Sequence, residues 1–158
     1  MTDIVIHITK NFNDIDINLS RLKKLVRVVC RRFAPDRIKN TGYEIGIAIV
    51  GNNQIRRLNR KFRSSNCSTD CLSFDLSDGK ANSPKSFELV VNAEKAVKEA
   101  KLRNHSAQAE LALYIIHALL HNLGFDDSTQ VKAKKMHDTE DEILQQFGFG
   151  LIYNSSSS

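Results

Sequence analysis

Cysteine is scarce. The chain has three, Cys30, Cys67 and Cys71, an odd number too small for a disulfide framework. The 158 residues hold no apolar run near the roughly 18 needed to span a bilayer. The opening MTDIVIHITKNFND has no basic region followed by a long apolar stretch, which is not the pattern of a secretory leader. The expected setting is therefore reducing and cytoplasmic. Internal repeats and long low-complexity linkers are also missing. Only Ser155–Ser158, after Asn154, carry neither apolar surface nor charge, so residues 154–158 are expected to be a disordered tail behind a single domain at 1–153.

Apolar residues make up 41% and charged residues 26%, the composition of an ordinary globular domain with one sizeable core. The net charge of +5 conceals an asymmetry. Residues 21–63 contain 13 Lys and Arg against Asp36 and Glu44, a local net of +11, so the rest of the chain sums to −6. Such a block suits a polyanion-facing surface. It is equally what the solvated faces of two amphipathic helices would carry, because order along the chain does not establish a patch in space.

Ile4, Ile6 and Ile8 alternate and predict a first strand. Ser20 is placed to cap a helix to about residue 33, with Leu22, Leu25, Val26 and Val29 inward and Pro35 beyond its end. Residues 43–50 read as a buried strand, and Asn52 or Asn53 as the cap of a helix burying Ile55, Leu58 and Phe62. Short strands follow at 71–76 and 88–91, separated by a polar loop with Gly79 and Pro84, then a short helix at 93–101. Residues 106–122 form a helix apolar around most of its circumference, which predicts a central, buried element. Gly124 sits where a left-handed cap belongs, and Ser128 opens a last helix to about residue 147. Interleaved strands and helices predict an α/β sandwich with a mixed sheet of about four strands.

The chemistry lies in His117-Ala-Leu-Leu-His121-Asn-Leu-Gly124-Phe-Asp126-Asp127. Residues four apart on a helix share a face, so two imidazoles can address one ion. Gly124 turns the chain back and brings a carboxylate, Asp126 or Asp127, toward the same point. Two histidines and one carboxylate leave a coordination position open, as in catalytic rather than structural sites. Two histidines on an apolar helix can also be satisfied core residues; the capping glycine and the following acids favour the ligand set. A zinc protease would place Glu after the first His as its general base, and here that residue is Ala118.

This stretch resembles the H-G-x-L-H-L-x-G-Y-D-H signature of the YbeY family, bacterial endoribonucleases of ribosomal RNA maturation. Two further blocks match upstream in the same order. Leu58-Asn59, Phe62-Arg63 and Thr69-Asp70-Cys71-Leu72-Ser73-Phe74 resemble LN-xx-YR and TDVLSF, and Phe87-Glu88-Leu89-Val90-Val91 more weakly resembles a GDIVI strand. The matches span about residues 44–127. This chain departs from the pattern at Ala118 for Gly, Asn122 for Leu, and Asp127 for the third His. By register the resemblance makes Asp127 the third ligand beside His117 and His121, and Asp126 a supporting or turn-forming residue. It implies one divalent ion, with zinc first and Mn, Ni or Fe brought forward by the harder carboxylate oxygen.

The implied activity is metal-dependent cleavage of single-stranded RNA in small-subunit rRNA 3′-end maturation and ribosome quality control, with the small ribosomal subunit as partner. Arg63 matches the Arg of the YR element and is the candidate for stabilising the phosphoryl transition state beside His117. Arg56, Arg57, Arg60 and Lys61 are assigned to attracting RNA. Thr69 and Asp70 either line the cleft or cap a turn, the turn being the simpler role, and Ser73 lies beside the cleft without a His–acid partner. Cys71 is read as core and Cys67 as loop, while His7, His105 and His137 have no partner at ligand spacing and are assigned surface or capping roles. Two other functions compete: a ribosome-associated RNA-binding factor with a structural metal, and a metal-dependent phosphoesterase of small substrates. A closed four-ligand site would favour the first, and the basic block would be superfluous to the second.

Overall fold

A computed structural model describes residues 3–34, 42–63, 69–80, 83–150 and 152–153. Pro35, Cys67 and the expected tail at 154–158 lie outside the described residues. The elements run β1 (Ile4–Lys10), α1 (Leu19–Phe33), β2 (Tyr43–Val50), α2 (Asn52–Arg63), β3 (Cys71–Asp75), β4 (Lys85–Asn92), α3 (Ala93–Arg103), α4 (Ala107–Asn122) and α5 (Gln130–Gln146). The sheet order is β1-β2-β4-β3, parallel at the first two pairings and antiparallel at the last. This is the expected α/β architecture with a four-stranded mixed sheet.

Side chains alternate across the sheet, and the two faces have unequal cover. Ile45, Ile47 and Ile49 of β2, with Phe87, Leu89 and Val91 of β4, enter the main core. That core is shared with α1, α4 and α5, which contribute Leu25, Val29, Leu111, Ile115, Leu119 and Ile143. The opposite parity, Val50 and Val90, joins Leu72 and Ile55 in a small cluster beneath α2. Central α4 touches α1, α3, α5, β3 and β4; residues 109–116 are buried, His117 is half-buried, and both ends of the helix reach solvent. Truncating a fully buried residue there, such as Leu119→Ala, would cost about 2–5 kcal/mol.

Local chemistry corrects several sequence expectations. Asn18, not Ser20, caps α1 by accepting from the Arg21 amide, and Thr129, not Ser128, caps α5 by accepting from Lys132. In each case an earlier or later side-chain oxygen has the better reach to the third helical amide. The strand expected at 88–91 extends over Lys85–Asn92 because Ser86 and its neighbours continue the ladder with β2. Phe62, expected in the core, is 57% exposed: it lies edge-on to Phe74 with Lys61 over its ring. The helix it ends covers too little of the sheet to bury a residue in its last turn. Cys71, expected in the core, is half-buried, because β3 is an edge strand and its first residue also borders the cleft described below.

Candidate metal centre

Ser106 opens α4 by accepting from the Ala109 amide, and the helix carries His117 and His121 on its last turns. It closes with two backbone bonds, Gly124 N–H to the His121 carbonyl and Phe125 N–H to the Leu120 carbonyl, at 3.2 and 2.9 Å. That paired closure requires a positive φ at Gly124, here +106°. The turn fixes Phe125, whose carbonyl accepts from Nδ1 of His121 at 3.1 Å. Nδ1 of His117 donates to the Oε2 of Glu140, on α5, at 3.0 Å.

Those two partners decide the tautomers. A carbonyl and a carboxylate only accept, so each imidazole carries its proton on Nδ1 and presents a lone pair at Nε2. The two Nε2 atoms face each other at 3.1 Å. That spacing suits a proton shared between the rings when one is imidazolium, and in the neutral form it suits a metal ion that takes both lone pairs. With metal–nitrogen bonds of about 2.0–2.1 Å, a 3.1 Å separation corresponds to a ligand–metal–ligand angle of about 98°. The imidazole donors therefore fit a divalent ion. Asp127 Oδ2 stands 3.9 Å from the His121 Nε2, and the three ligand atoms lie within 4.8 Å of one another. Its carboxylate is exposed to solvent.

Glu140 is fully buried, and its hydrogen bond raises the pKa of His117 above the ordinary imidazole value, against the opposing effect of burial. The same contact fixes the ring and strengthens Nε2 as a ligand. Sequence reasoning missed Glu140. The available signal was a charged residue inside the apolar stripe of α5, between Met136 and Ile143, which are both buried.

Asp126 occupies the turn. Its Oδ1 accepts from the Ser128 hydroxyl at 2.7 Å and amide at 3.1 Å, and Oδ2 pairs with Lys132. These bonds, the Ser128 hydroxyl first, hold its carboxyl at about 2. Asp126 is thus engaged away from the imidazoles, and Asp127 is the carboxylate grouped with them.

The match to known proteins is broad. The model of the family Endoribonuclease YbeY matches residues 7–148. An Endoribonuclease YbeY of Alkaliphilus metalliredigens is 34% identical over 67% of this chain and 72% of its own length. One from Bacillus cereus is 31% identical over 80% and 86%. The chain belongs to the YbeY family. A solution structure of TM1509 from Thermotoga maritima shares the fold, with a TM-score of 0.61 and 22% identity over 90% of this chain and 91% of that one.

YbeY-family membership makes the chain an endoribonuclease-family enzyme, and the structure locates the remaining candidates. Asp70 lines a cavity together with His117 and is paired with Lys95, while the Thr69 carbonyl accepts from Asn92. The structure places Asp70 on the wall of that cavity. Ser73 accepts from the amide of Asn122, so that departure from the YbeY pattern ties the end of α4 to β3. Arg56, Arg57 and Arg60 line one shallow cavity with Asn53 on α2, and Lys61 is exposed nearby. Arg63 ends α2, and its side chain lies outside the described residues. Two histidines expected only at surface or capping positions have defined partners: His105 binds the buried Glu110 at 2.7 Å, and His137 stacks on Tyr153. No helix among the described residues is long and apolar enough to cross a membrane.

Proposed function

We propose that this protein is a metal-dependent endoribonuclease acting on single-stranded ribosomal RNA in the cytoplasm. Its place would be 16S rRNA 3′-end maturation and ribosome quality control, on the small subunit. The observation that carries the reading is the pair of Nε2 atoms facing each other at 3.1 Å with Asp127 beside them, each ring fixed by a partner on Nδ1.

His117, His121 and Asp127 would hold one divalent ion, with zinc favoured by the two imidazoles. Such an ion supplies Lewis-acid polarisation of a phosphoryl oxygen and lowers the pKa of water. His117 and His121 keep fixed rings through Glu140 and the Phe125 carbonyl, so little reorganisation accompanies loading. Three ligands among the described residues leave room for substrate, which favours an enzyme over a binding factor with a closed structural site. Arg56, Arg57, Arg60 and Lys61 draw in the RNA backbone, and Arg63 stabilises the charge that develops on the phosphoryl group.

The test combines metal analysis with cleavage of a single-stranded oligoribonucleotide. Wild type should carry one metal per chain and cut the RNA. His121→Ala should fold, by circular dichroism, without stoichiometric metal and without cleavage. Equal metal content in the two proteins would sink the ligand assignment, and metal-loaded wild type that leaves the RNA intact would sink the activity.

A further inference from the structure

Beside His117 lies a cavity of about 190 Å³ that the reaction chemistry above does not use. Its walls include Asp70, Lys95, Glu99, Arg103 and Tyr153. The cations there are already paired. Lys95 Nζ pairs with Asp70 at 2.5 Å, and Arg103 faces Glu99 at 3.7 Å and the buried Glu110 at 3.4 Å. Both cations are paired, and the three carboxylates around them outnumber them by one, so these groups offer no net attraction to a phosphate. It does present both donors and acceptors, which suits a neutral, planar, polar group.

Tyr153 supplies the aromatic wall. Its ring stacks on His137, with centroids 3.9 Å apart and planes at 10°. His137 is not part of the cavity lining, so it backs the ring from outside. The tyrosine backbone is held in place. The buried carboxylate of Asp141 accepts from the amides of Ile152 and Tyr153 at 2.8 and 3.1 Å. A chain segment past the last helix is thereby strapped against the cleft. For scale, an apolar cavity of about 150 Å³ holds a benzene ring.

From this geometry we infer that the cavity is a subsite for a nucleobase, one that flanks the scissile phosphate and stacks on Tyr153. Its ring edge meets the Lys95–Asp70 and Arg103–Glu99 pairs. The inference rests on the endoribonuclease reading and adds to it a handle on the base rather than on the backbone. Stacking is tolerant of base identity, so the subsite contributes affinity for unpaired RNA, whose bases are free to splay, and excludes duplex.

The experiment uses a short single-stranded oligoribonucleotide with a mapped cleavage site, and versions abasic at the nucleotide on either side of it. One abasic position should lower kcat/KM by about 5- to 150-fold, mostly through KM. Tyr153→Ala should show the same loss on intact RNA and almost no additional loss on that abasic RNA, while Tyr153→Phe retains wild-type kinetics. The abasic arm needs no change in the protein, so a folding defect cannot mimic the result. Wild-type cleavage of both abasic RNAs at the intact rate overturns the subsite and leaves the nuclease reading standing, as does a Tyr153→Ala loss that multiplies with the abasic loss. If wild type cuts no RNA, the nuclease reading fails, and binding decides the subsite. Quenching of a 2-aminopurine oligoribonucleotide by metal-free wild type, lost in Tyr153→Ala, supports it; absence of quenching overturns it.

Discussion

Replacing Glu140 by Gln tests how much of the metal affinity comes from outside the ligand set. The amide oxygen can still accept from Nδ1 of His117, now 3.0 Å from the carboxylate, so the ring and its tautomer survive while the charge goes. Partners of this kind typically contribute 10- to 100-fold to affinity, about 1.4–2.7 kcal/mol. At a free metal concentration 100 times the wild-type Kd, binding stabilises the native protein by about 2.7 kcal/mol, or about 5–11 °C in Tm for a chain of this size. A 100-fold weaker variant gains only about 0.4 kcal/mol under the same conditions, a rise of about 1–2 °C.

The metal-free proteins should differ in pH dependence. Glu140 raises the pKa of His117 in the folded state, so its contribution is fully present below the unfolded imidazole value of about 6.5. It is lost as pH rises through the higher folded value. The stability advantage of metal-free wild type over Glu140→Gln should therefore shrink from pH 6 upward. Chelator competition for Kd, and thermal unfolding with and without metal across pH, measure both effects. An unchanged Kd in Glu140→Gln would refute the idea that this carboxylate tunes the ligand.

Asp127→His should bind metal and shift selectivity toward zinc, because a third imidazole replaces a hard oxygen donor; competition between zinc and manganese reads this out. Neutralising Arg56, Arg57 and Lys61 together should reduce the slope of log K against log salt for single-stranded RNA by about two units, measured by fluorescence anisotropy. An unchanged slope would remove α2 from the RNA path. Arg63→Lys should remain impaired in single-turnover cleavage at saturating protein, because it keeps the charge and loses the planar fork, with Arg60→Lys nearly silent. A wild-type rate for Arg63→Ala under those conditions, against an expected loss of about 10²–10³, would make Arg63 one more basic residue.

What the sequence made legible follows from the range of the interactions involved. His117, His121, Gly124 and Asp127 act within one helix end and its turn, so a local periodicity and a turn residue expose them. The strands and helices were legible for the same reason, and the misplaced caps at Ser20 and Ser128 are errors of one or two residues between competing oxygens. Glu140, Asp141 and Tyr153 were hidden because they reach the site through the packing of α5 and the chain beyond it. A helical pattern alone does not show which neighbour an inward carboxylate meets. Phe62 was misjudged from its spacing, since exposure depends on how far the sheet extends under α2.

The lopsided cover of the sheet also sets which part of the molecule can come loose first. The main core joins α1, α4 and α5 to three strands, whereas α2 rests on Val50, Leu72 and Val90 through Ile55, with Ala48, Leu58 and Phe74 at the margin. Lifting α2 exposes that small cluster and leaves the imidazole pair and its Glu140 support intact. Its opening free energy is thus a fraction of the global one, and its amides should exchange with solvent by a sub-global route while those of α4 wait for complete unfolding. Arg56, Arg57, Arg60 and Arg63 all ride on that helix, so a change in its seating would carry the basic face and Arg63 together relative to the imidazole pair.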